Sequence, residues 1–158
     1  MMGKVSKYTM AKSWASGKES EALFVSIMEA RGATVVKSSR YEDINLHIDF
    51  YVNGHGVDVK SGRTMDKIWL EVANVKGDDG WLKGSAEFIA FHFDDNPCFM
   101  FFRRDDLLDF VQTNVIESTN SNKEYMKWYT RSDWDRKDLI AKVKYDHIKH
   151  IKHTIINC

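Results

Sequence analysis

Two aspartates and a lysine in one short segment are the residues of this sequence best suited to metal-assisted chemistry. Asp49 and Asp58 are nine residues apart, and Lys60 follows Asp58 by two. Carboxylate oxygens are ligands that Mg²⁺ prefers. An ammonium group beside such an ion can hold a water molecule or stabilise the negative charge that develops on a phosphate. The three side chains together could therefore assist hydrolysis of a phosphodiester bond.

The segment that carries them has the pattern of a β-hairpin. Two stretches rich in β-branched residues flank Asn53-Gly54-His55-Gly56, a sequence typical of a hairpin turn. In an extended strand Asp58 and Lys60 leave the same face, and the carbonyl of Val59 is available as a further ligand. The alternative is a solvated surface pair, which is the commoner explanation of an isolated Asp-x-Lys triplet.

This arrangement resembles the PD-(D/E)XK nuclease superfamily, which includes type II restriction endonucleases and archaeal Holliday-junction resolvases. That family places an acid at the start of one strand, (D/E)xK on the next strand, and a glutamate on a preceding helix. Asp49 and Asp58-Val59-Lys60 match the first two features, although Ile48 stands where the family often has proline. The resemblance covers about residues 16–93. It implies a restriction-endonuclease-like sandwich and a Mg²⁺-dependent endodeoxyribonuclease, with Mn²⁺ able to substitute.

The resemblance also implies roles for single residues. Asp49, Asp58, the Val59 carbonyl and a helix glutamate would bind the metal, and Lys60 would assist the attacking water. Glu19 and Glu21 both lie on the expected helix. The spacing of Ser16 and Glu19 is that of a capping box, which already explains Glu19. Glu21 shares a helical face with Val25 and Met28 and precedes Gly32 by eleven residues, as in the resolvases, so Glu21 is the favoured ligand.

Several further residues are weaker candidates for contact with DNA. Arg63 closely follows Lys60 and could clamp a phosphate. Trp81 and Lys83 stand between two glycines and could contact DNA, but a buried Trp81 with a solvated Lys83 explains them equally well. His47 precedes the metal strand in a segment interpreted as a loop, where an ordinary hydrogen-bonding histidine is the alternative. Glu71 lies in the next expected strand, where some family members have an extra acid near the metal.

The C-terminal histidines offer a second type of metal ligand. His147, His150 and His153 recur every three residues, so they share a helical face only in part. No cysteine or acid completes a zinc set with them. We therefore expect the metal at the hairpin carboxylates and not at these histidines.

The elements that must position the hairpin can be read from apolar spacing and turn residues. We expect a helix from Ser16 to about Arg31 that Gly32 ends, and a helix from Asp105 to about Val111. The expected strands are residues 34–37, 48–52, 57–60, 68–75, 87–93 and 98–102. Residues 139–145 fit a strand or a helix, and a strand followed by a helical turn is favoured. Residues 68–75 would add a third strand to the hairpin meander. The order predicts an α/β or α+β sandwich, a central mixed sheet flanked by helices.

Length and composition favour a single domain. The 158 residues would comprise a flexible basic arm over residues 1–15 and one nuclease-like domain over residues 16–158. Formal net charge is zero, yet residues 1–18 hold four lysines and no acid, which fits a phosphate-binding rim or an ordinary solvated end. Two cysteines suit a reducing compartment. No apolar run approaches the roughly 20 residues that span a bilayer, so a cytoplasmic protein without membrane contact is expected.

Two classes of function remain open from the sequence. The first is a metal-dependent DNA nuclease, by analogy a small phage- or mobile-element-type enzyme that acts on DNA and could work as a homodimer. The second is a catalytically silent nuclease-fold protein that binds nucleic acid or another partner. Within the enzyme class, a hydrolase on the same scaffold that acts on RNA or on nucleotides is a further alternative. The complete set of two acids and a lysine favours the first, because a binding module has no reason to bury those charges.

Overall fold

A computed structural model describes residues 7–130 and 138–158, with side chains described from Gly17 onward in these ranges. The elements follow one another in the order α1 (Lys7–Ala30), β1 (Val35–Lys37), α2 (Arg40–Leu46), β2 (Phe50–Val52), β3 (His55–Gly62), β4 (Ile68–Ala73), a 3₁₀ turn (Trp81–Lys83), β5 (Phe88–Phe93), β6 (Asn96–Arg103), α3 (Arg104–Asn114), β7 (Ser118–Thr119), β8 (Trp128–Tyr129), β9 (Leu139–Val143), α4 (Tyr145–Ile148) and β10 (His153–Asn157). The described part of the chain is thus an α+β protein with four α-helices, a six-stranded mixed sheet and a four-stranded sheet. The expected α+β class and mixed sheet are confirmed, whereas the second sheet was not expected.

Helix α1 begins at Lys7, nine residues before the predicted start. Ser16 therefore lies inside the helix, and the predicted N-terminal capping box of Ser16 with Glu19 was wrong. Because helix propagation is far easier than nucleation, a helix anchored by buried Phe24 and Met28 extends back through a segment with no strong stop signal. Gly32 ends the helix as predicted, with a φ of 85° that favours glycine. Residues 7–15, expected as part of an arm, belong to α1, and residues 1–6 lie outside the described ranges.

The six-stranded sheet has the order β1-β2-β3-β5-β6-β10. Strands β1, β2 and β3 form an antiparallel meander, and β3 then pairs in parallel with β5. The hairpin turn is only Asn53-Gly54, with φ values of 50° and 85°, and Val52 faces His55 across it. Positive φ at both central residues is typical of the tight turns that match strand twist. The predicted hairpin is confirmed, with β3 beginning two residues earlier than expected.

Strand β4 does not extend this meander. The prediction of a strand at residues 68–75 is confirmed, but the prediction that it pairs with the hairpin was wrong. It pairs antiparallel with β9, from Ile68 opposite Val143 to Ala73 opposite Leu139, in a sheet of order β4-β9-β8-β7. A parallel pair needs a crossover connection, because the chain must return to the same end of the sheet. Here β4 and the 3₁₀ turn form that crossover between β3 and β5.

The two faces of the six-stranded sheet have separate cores. One face packs on α1 through Phe24 and Met28, which meet Val57 and Val59 of β3. The other face packs on the second sheet, the 3₁₀ turn, α3 and α4, with a larger apolar cluster that includes Trp81 and Phe91. Successive strand residues point to opposite faces, so Asp58 and Lys60 leave the face that looks away from α1.

The remaining expectations divide between confirmed and wrong. Helix α3 and the strand-then-turn reading of the segment from Leu139 are confirmed. The segment from Glu42 to His47 is not a loop, because residues 42–46 belong to α2. A capping box of Ser39 and Glu42 starts this helix, and His47 follows its last residue with a left-handed φ of 56°. Among the described residues, no helix is long and apolar enough to span a membrane.

Candidate active site

Asp49 lies where β2 and β3 stop pairing. Its backbone N–H donates to the Val57 carbonyl at 2.9 Å, and its Oδ2 accepts from the Val59 N–H at 2.8 Å. The carboxylate thus takes the place of the next ladder carbonyl, which fixes its position at the point where the strands diverge. Lys37 Nζ donates to the Asp49 carbonyl at 3.2 Å, and only 8% of Asp49 is exposed. One carboxylate oxygen is therefore used in holding the hairpin.

Asp58 is the most unusual group of the site. It is 2% exposed, and its Oδ2 has no hydrogen-bond partner among the described residues. Burial raises the pKa of Asp58 to about 8; the Lys60 ammonium opposes this shift, and the nearby Asp49 carboxylate adds to it. Lys60 contacts only one of the two Asp58 oxygens, and an incompletely paired buried carboxylate is costly, so a shared proton with Asp49 or a further bound cation would stabilise this pair of acids.

Lys60 connects the acid pair to a neighbouring pocket. Its Nζ lies 3.2 Å from Asp58 Oδ1 and 5.1 Å from the centre of the Trp81 ring. A third of its side chain remains exposed, at 33%. The ammonium is thus held between a buried carboxylate and an aromatic face, yet it remains accessible to a ligand. The predicted grouping of Asp49, Asp58 and Lys60 is present in the structure.

Glu71 lies near the same ammonium. Burial raises the pKa of Glu71, and the positive charges of Lys60 and His47 oppose that shift. A Cβ at Gly80 would lie 2.7 Å from Glu71 Cγ and 2.7 Å from the Glu71 carbonyl oxygen, so the glycine permits this close packing. Sequence reasoning treated Glu71 as a weak candidate, whereas the structure puts it in the electrostatic surroundings of Lys60.

Glu21 is not drawn into this group. Its carboxylate is 21% exposed and lies 3.6 Å from Lys18, one turn away on α1. Glu19 is exposed, so Glu21 is the more buried of the two helix acids, as expected. Helix α1, however, covers the face of the sheet opposite to Asp58. Among the described side chains, no group of three or more His, Cys, Asp or Glu residues could hold a metal ion, so the role predicted for Glu21 stays a prediction.

The weaker candidates have different surroundings. The Val59 side chain packs in the core beside α1, and its N–H donates a hydrogen bond to Asp49. The role of its carbonyl as a metal ligand stays a prediction. Trp81 is buried at 8% exposure and Lys83 is exposed, which is the plainer of the two readings of that pair. Arg63 is exposed beside Lys60. His47 lines a different pocket, together with Asp78 and Asp79.

The C-terminal histidines do not converge. His147 is in α4 and bonds the Lys144 N–H at 2.9 Å, whereas His153 is in β10, where its ring stacks on Phe102. His150 lies beside Phe110. The three rings thus have different neighbours, and the expectation that no metal binds them stays a prediction.

Sequence reasoning missed a pocket of about 280 Å³ at the end of β3. It opens beside Lys60, and its lining residues are Lys60, Ser61, Gly62, Arg63, Thr64, Lys67, Ile68, Trp69, Trp81, Phe91 and Phe93. Three of them are cations and none is an acid. The close sequence spacing of Lys60, Arg63 and Lys67 was a visible signal, but only the crossover through β4 brings Trp69 to the same place.

The oxygen donors of the site are of the type that a hard divalent cation prefers, and the described residues supply two such carboxylates, Asp49 and Asp58. Asp58 offers a buried oxygen that lacks a partner, and Asp49 has one oxygen that the hairpin does not use. Both are ligands that Mg²⁺ and Mn²⁺ accept, and both ions usually keep several waters.

Comparison with protein families, curated proteins and solved structures finds no match to this chain.

Proposed function

We propose that this protein is a metal-dependent nuclease that hydrolyses phosphodiester bonds in DNA. The observation that carries the proposal is the buried Asp58 carboxylate, whose Oδ2 lacks a partner beside Asp49 and Lys60. Such an arrangement is unfavourable in a purely structural site, because an unpaired buried oxygen costs about 1–3 kcal/mol or more. Perturbed acids gathered beside a pocket are typical of catalytic sites.

In this proposal each residue has a distinct task. Asp49 and Asp58 would hold Mg²⁺ or Mn²⁺, which when bound supplies a Lewis acid for the phosphate and lowers the pKa of a water. Lys60 places its ammonium where the scissile phosphate enters from the basic pocket, and it stabilises the negative charge that develops there. Glu71 would add a nearby carboxyl group to the electrostatic surroundings of Lys60. The Val59 N–H keeps Asp49 in the orientation that leaves its other oxygen free.

A binding protein that does not cut is the second candidate. The observation that favours it is the Lys60–Asp58 pair at 3.2 Å, because an ammonium paired in this way neutralises the acid without any metal. The basic pocket beside it could then serve binding alone. The two candidates share a ligand and differ only in chemistry.

Incubation of the purified full chain with DNA separates the two candidates. Supercoiled, linear, single-stranded and branched DNA are each incubated with Mg²⁺, with Mn²⁺ and with EDTA, and RNA serves as a further substrate. The nuclease proposal expects new ends with either metal and none with EDTA, and it expects no cleavage by Asp58→Asn protein. An absence of cleavage on every DNA with both metals, together with retained DNA binding, would favour the binding protein.

A further inference from the structure

The pocket beside Lys60 has an uncompensated positive charge. Among the described residues, neither Arg63 nor Lys67 forms an ion pair with an acidic side chain, and both are exposed. The charge of Lys67 also acts on buried Lys142, whose pKa is lowered first by burial and then by this neighbour. Cations that repel one another are stabilised when an anion binds between or beside them. The pocket is therefore suited to a phosphate.

The same pocket has aromatic walls. Trp69 lines it and remains partly exposed, and its ring also approaches Tyr129 with centres 5.8 Å apart. On the inner side Phe91 stacks on Phe93, with ring centres 5.8 Å apart and planes inclined by 14°. Aromatic faces beside cations are the combination that binds unpaired nucleotides, because every base has a face that stacks.

The size of the pocket limits what enters it. A volume of about 280 Å³ lies near the lower end of small-molecule sites, which hold about 300–1,000 Å³. One nucleotide suits this space, whereas a base pair inside a stacked duplex does not present a free base face to it. Enzymes that act on a base in such a pocket use single-stranded substrate or take the nucleotide out of the stack.

We propose that this pocket binds one unpaired nucleotide of a nucleic-acid strand, with its phosphate on Lys60, Arg63 and Lys67 and its base against Trp69. The inference rests on the proposed function in that it assigns a substrate to the same site. It makes single strands, frayed ends and branch points the preferred ligands and intact duplex a poor one. The phosphate on the Lys60 side then lies next to the Asp49–Asp58 pair.

Binding without metal tests the inference independently of cleavage. The full chain in EDTA is titrated with a fluorescent single-stranded oligonucleotide and with the same sequence in a closed hairpin duplex, at several salt concentrations. We expect at least tenfold tighter binding of the single strand. Lys67→Ala and Arg63→Ala should each weaken it and lower the salt slope by about 0.7, the value for one phosphate contact on a single strand. Lys152→Ala, which changes an exposed lysine outside the pocket, should leave both quantities unchanged.

The base contact has its own variants and probes. Trp69→Ala should lose about 5- to 150-fold in affinity, which corresponds to the 1–3 kcal/mol of one stacked base. Trp69→Phe retains a ring and should recover most of the loss, which distinguishes stacking from misfolding. Thymidine monophosphate should compete with the oligonucleotide better than inorganic phosphate at equal concentration, because phosphate lacks the base.

Three results would overturn the inference: duplex bound as tightly as single strand, Lys67→Ala indistinguishable from Lys152→Ala, or phosphate competing as well as the nucleotide. Cleavage of DNA without single-strand preference would leave the nuclease proposal intact and remove only this inference. Single-strand preference in a protein that never cuts DNA would support this inference and contradict the nuclease proposal.

Discussion

Replacement of Asp58 by asparagine should make the metal-free protein more stable and at the same time inactive. Asp58→Asn keeps the shape of the side chain and removes its charge. The buried acid must take up a proton on folding, because its pKa rises from 3.8 in the free side chain to about 8 in the folded chain. Asparagine has no such requirement, and its amide can donate to the Asp49 carboxylate nearby. In the nuclease proposal, the function of the Asp58 carboxyl group thus conflicts with the stability of the fold.

The magnitude follows from the two pKa values of Asp58. Because the folded pKa is the higher one, protonated Asp58 contributes stability that is fully present below pH 3.8 and is lost as pH rises through about 8. At 1.36 kcal/mol per pKa unit, the loss reaches about 4 kcal/mol by pH 7. Relaxation of the site and entry of water reduce this figure. We therefore expect the stability difference between Asp58→Asn and the wild type to grow by at least about 2 kcal/mol from pH 5 to pH 8.

The assay is denaturant unfolding of both proteins in EDTA at unit steps of pH, from pH 5 to pH 9. The difference between the variants is used, because the contributions of groups that do not interact with Asp58 then cancel. Asp109→Asn changes an exposed acid on α3 and provides the matched control, for which the difference should not depend on pH. In a parallel series, Mn²⁺ should raise the melting temperature of the wild type and leave that of Asp58→Asn unchanged, because a ligand stabilises only the state that binds it.

A difference that stays constant or shrinks as pH rises would refute the reasoning, since Asp58 would then be ionised at little cost. An equal response of both proteins to Mn²⁺ would place the metal elsewhere. These two outcomes are independent, because the first concerns the proton on Asp58 and the second concerns the ion that replaces it.

Three further perturbations test neighbouring parts of the site. Lys60→Ala should lower the cleavage rate at least about 10²-fold, the effect of one preorganised electrostatic group, while Lys152→Ala cleaves like the wild type in the same gel assay. The cleavage rate at subsaturating metal should rise about tenfold per pH unit below pH 8 and then level off, because Asp58 must lose its proton before it binds a cation; a flat profile between pH 6 and pH 8 would contradict this. Gly80→Ala should destabilise the protein by about 1–3 kcal/mol, since its Cβ would meet Glu71 at 2.7 Å. Gly17→Ala, where a helical Cβ meets nothing within 4 Å, should be neutral or stabilising in the same unfolding measurement.

The hairpin with its acids could be predicted because its signals are local. Asn53-Gly54 specifies a tight turn between strands whose side chains alternate, so the common face of Asp58 and Lys60 follows from spacing alone. The pairing of β4 could not be predicted in this way. Its alternation of buried and half-buried residues fits a neighbour in either sheet, and the choice depends on β9, some 70 residues later in the chain.

The capping patterns show why local signals also mislead. Ser16 with Glu19 and Ser39 with Glu42 have the same spacing, yet only the second pair caps a helix. Helix α2 has no buried residue, so no apolar periodicity marked it, and its segment was interpreted as a loop. At Ser16 the preceding residues continue a helix that buried side chains anchor further on. Buried side chains of α1 decided the first case, whereas the capping box of α2 forms locally, and the sequence pattern alone did not distinguish the two.

The burial of Asp58 is the feature that links the sequence to a function. A strand that faces a core normally excludes a carboxylate, and this one lies at 2% exposure with an oxygen that accepts no hydrogen bond from a described N–H or O–H donor. Lys60 offsets only part of the cost, because its ammonium contacts the other oxygen and is itself partly drawn to the Trp81 ring. In an ion pair that only stabilises the fold, we would expect both oxygens of the buried carboxylate to accept a hydrogen bond. The nuclease proposal accounts for this unfavourable position, because in that proposal the second Asp58 oxygen binds a cation and the exposed part of Lys60 binds a phosphate.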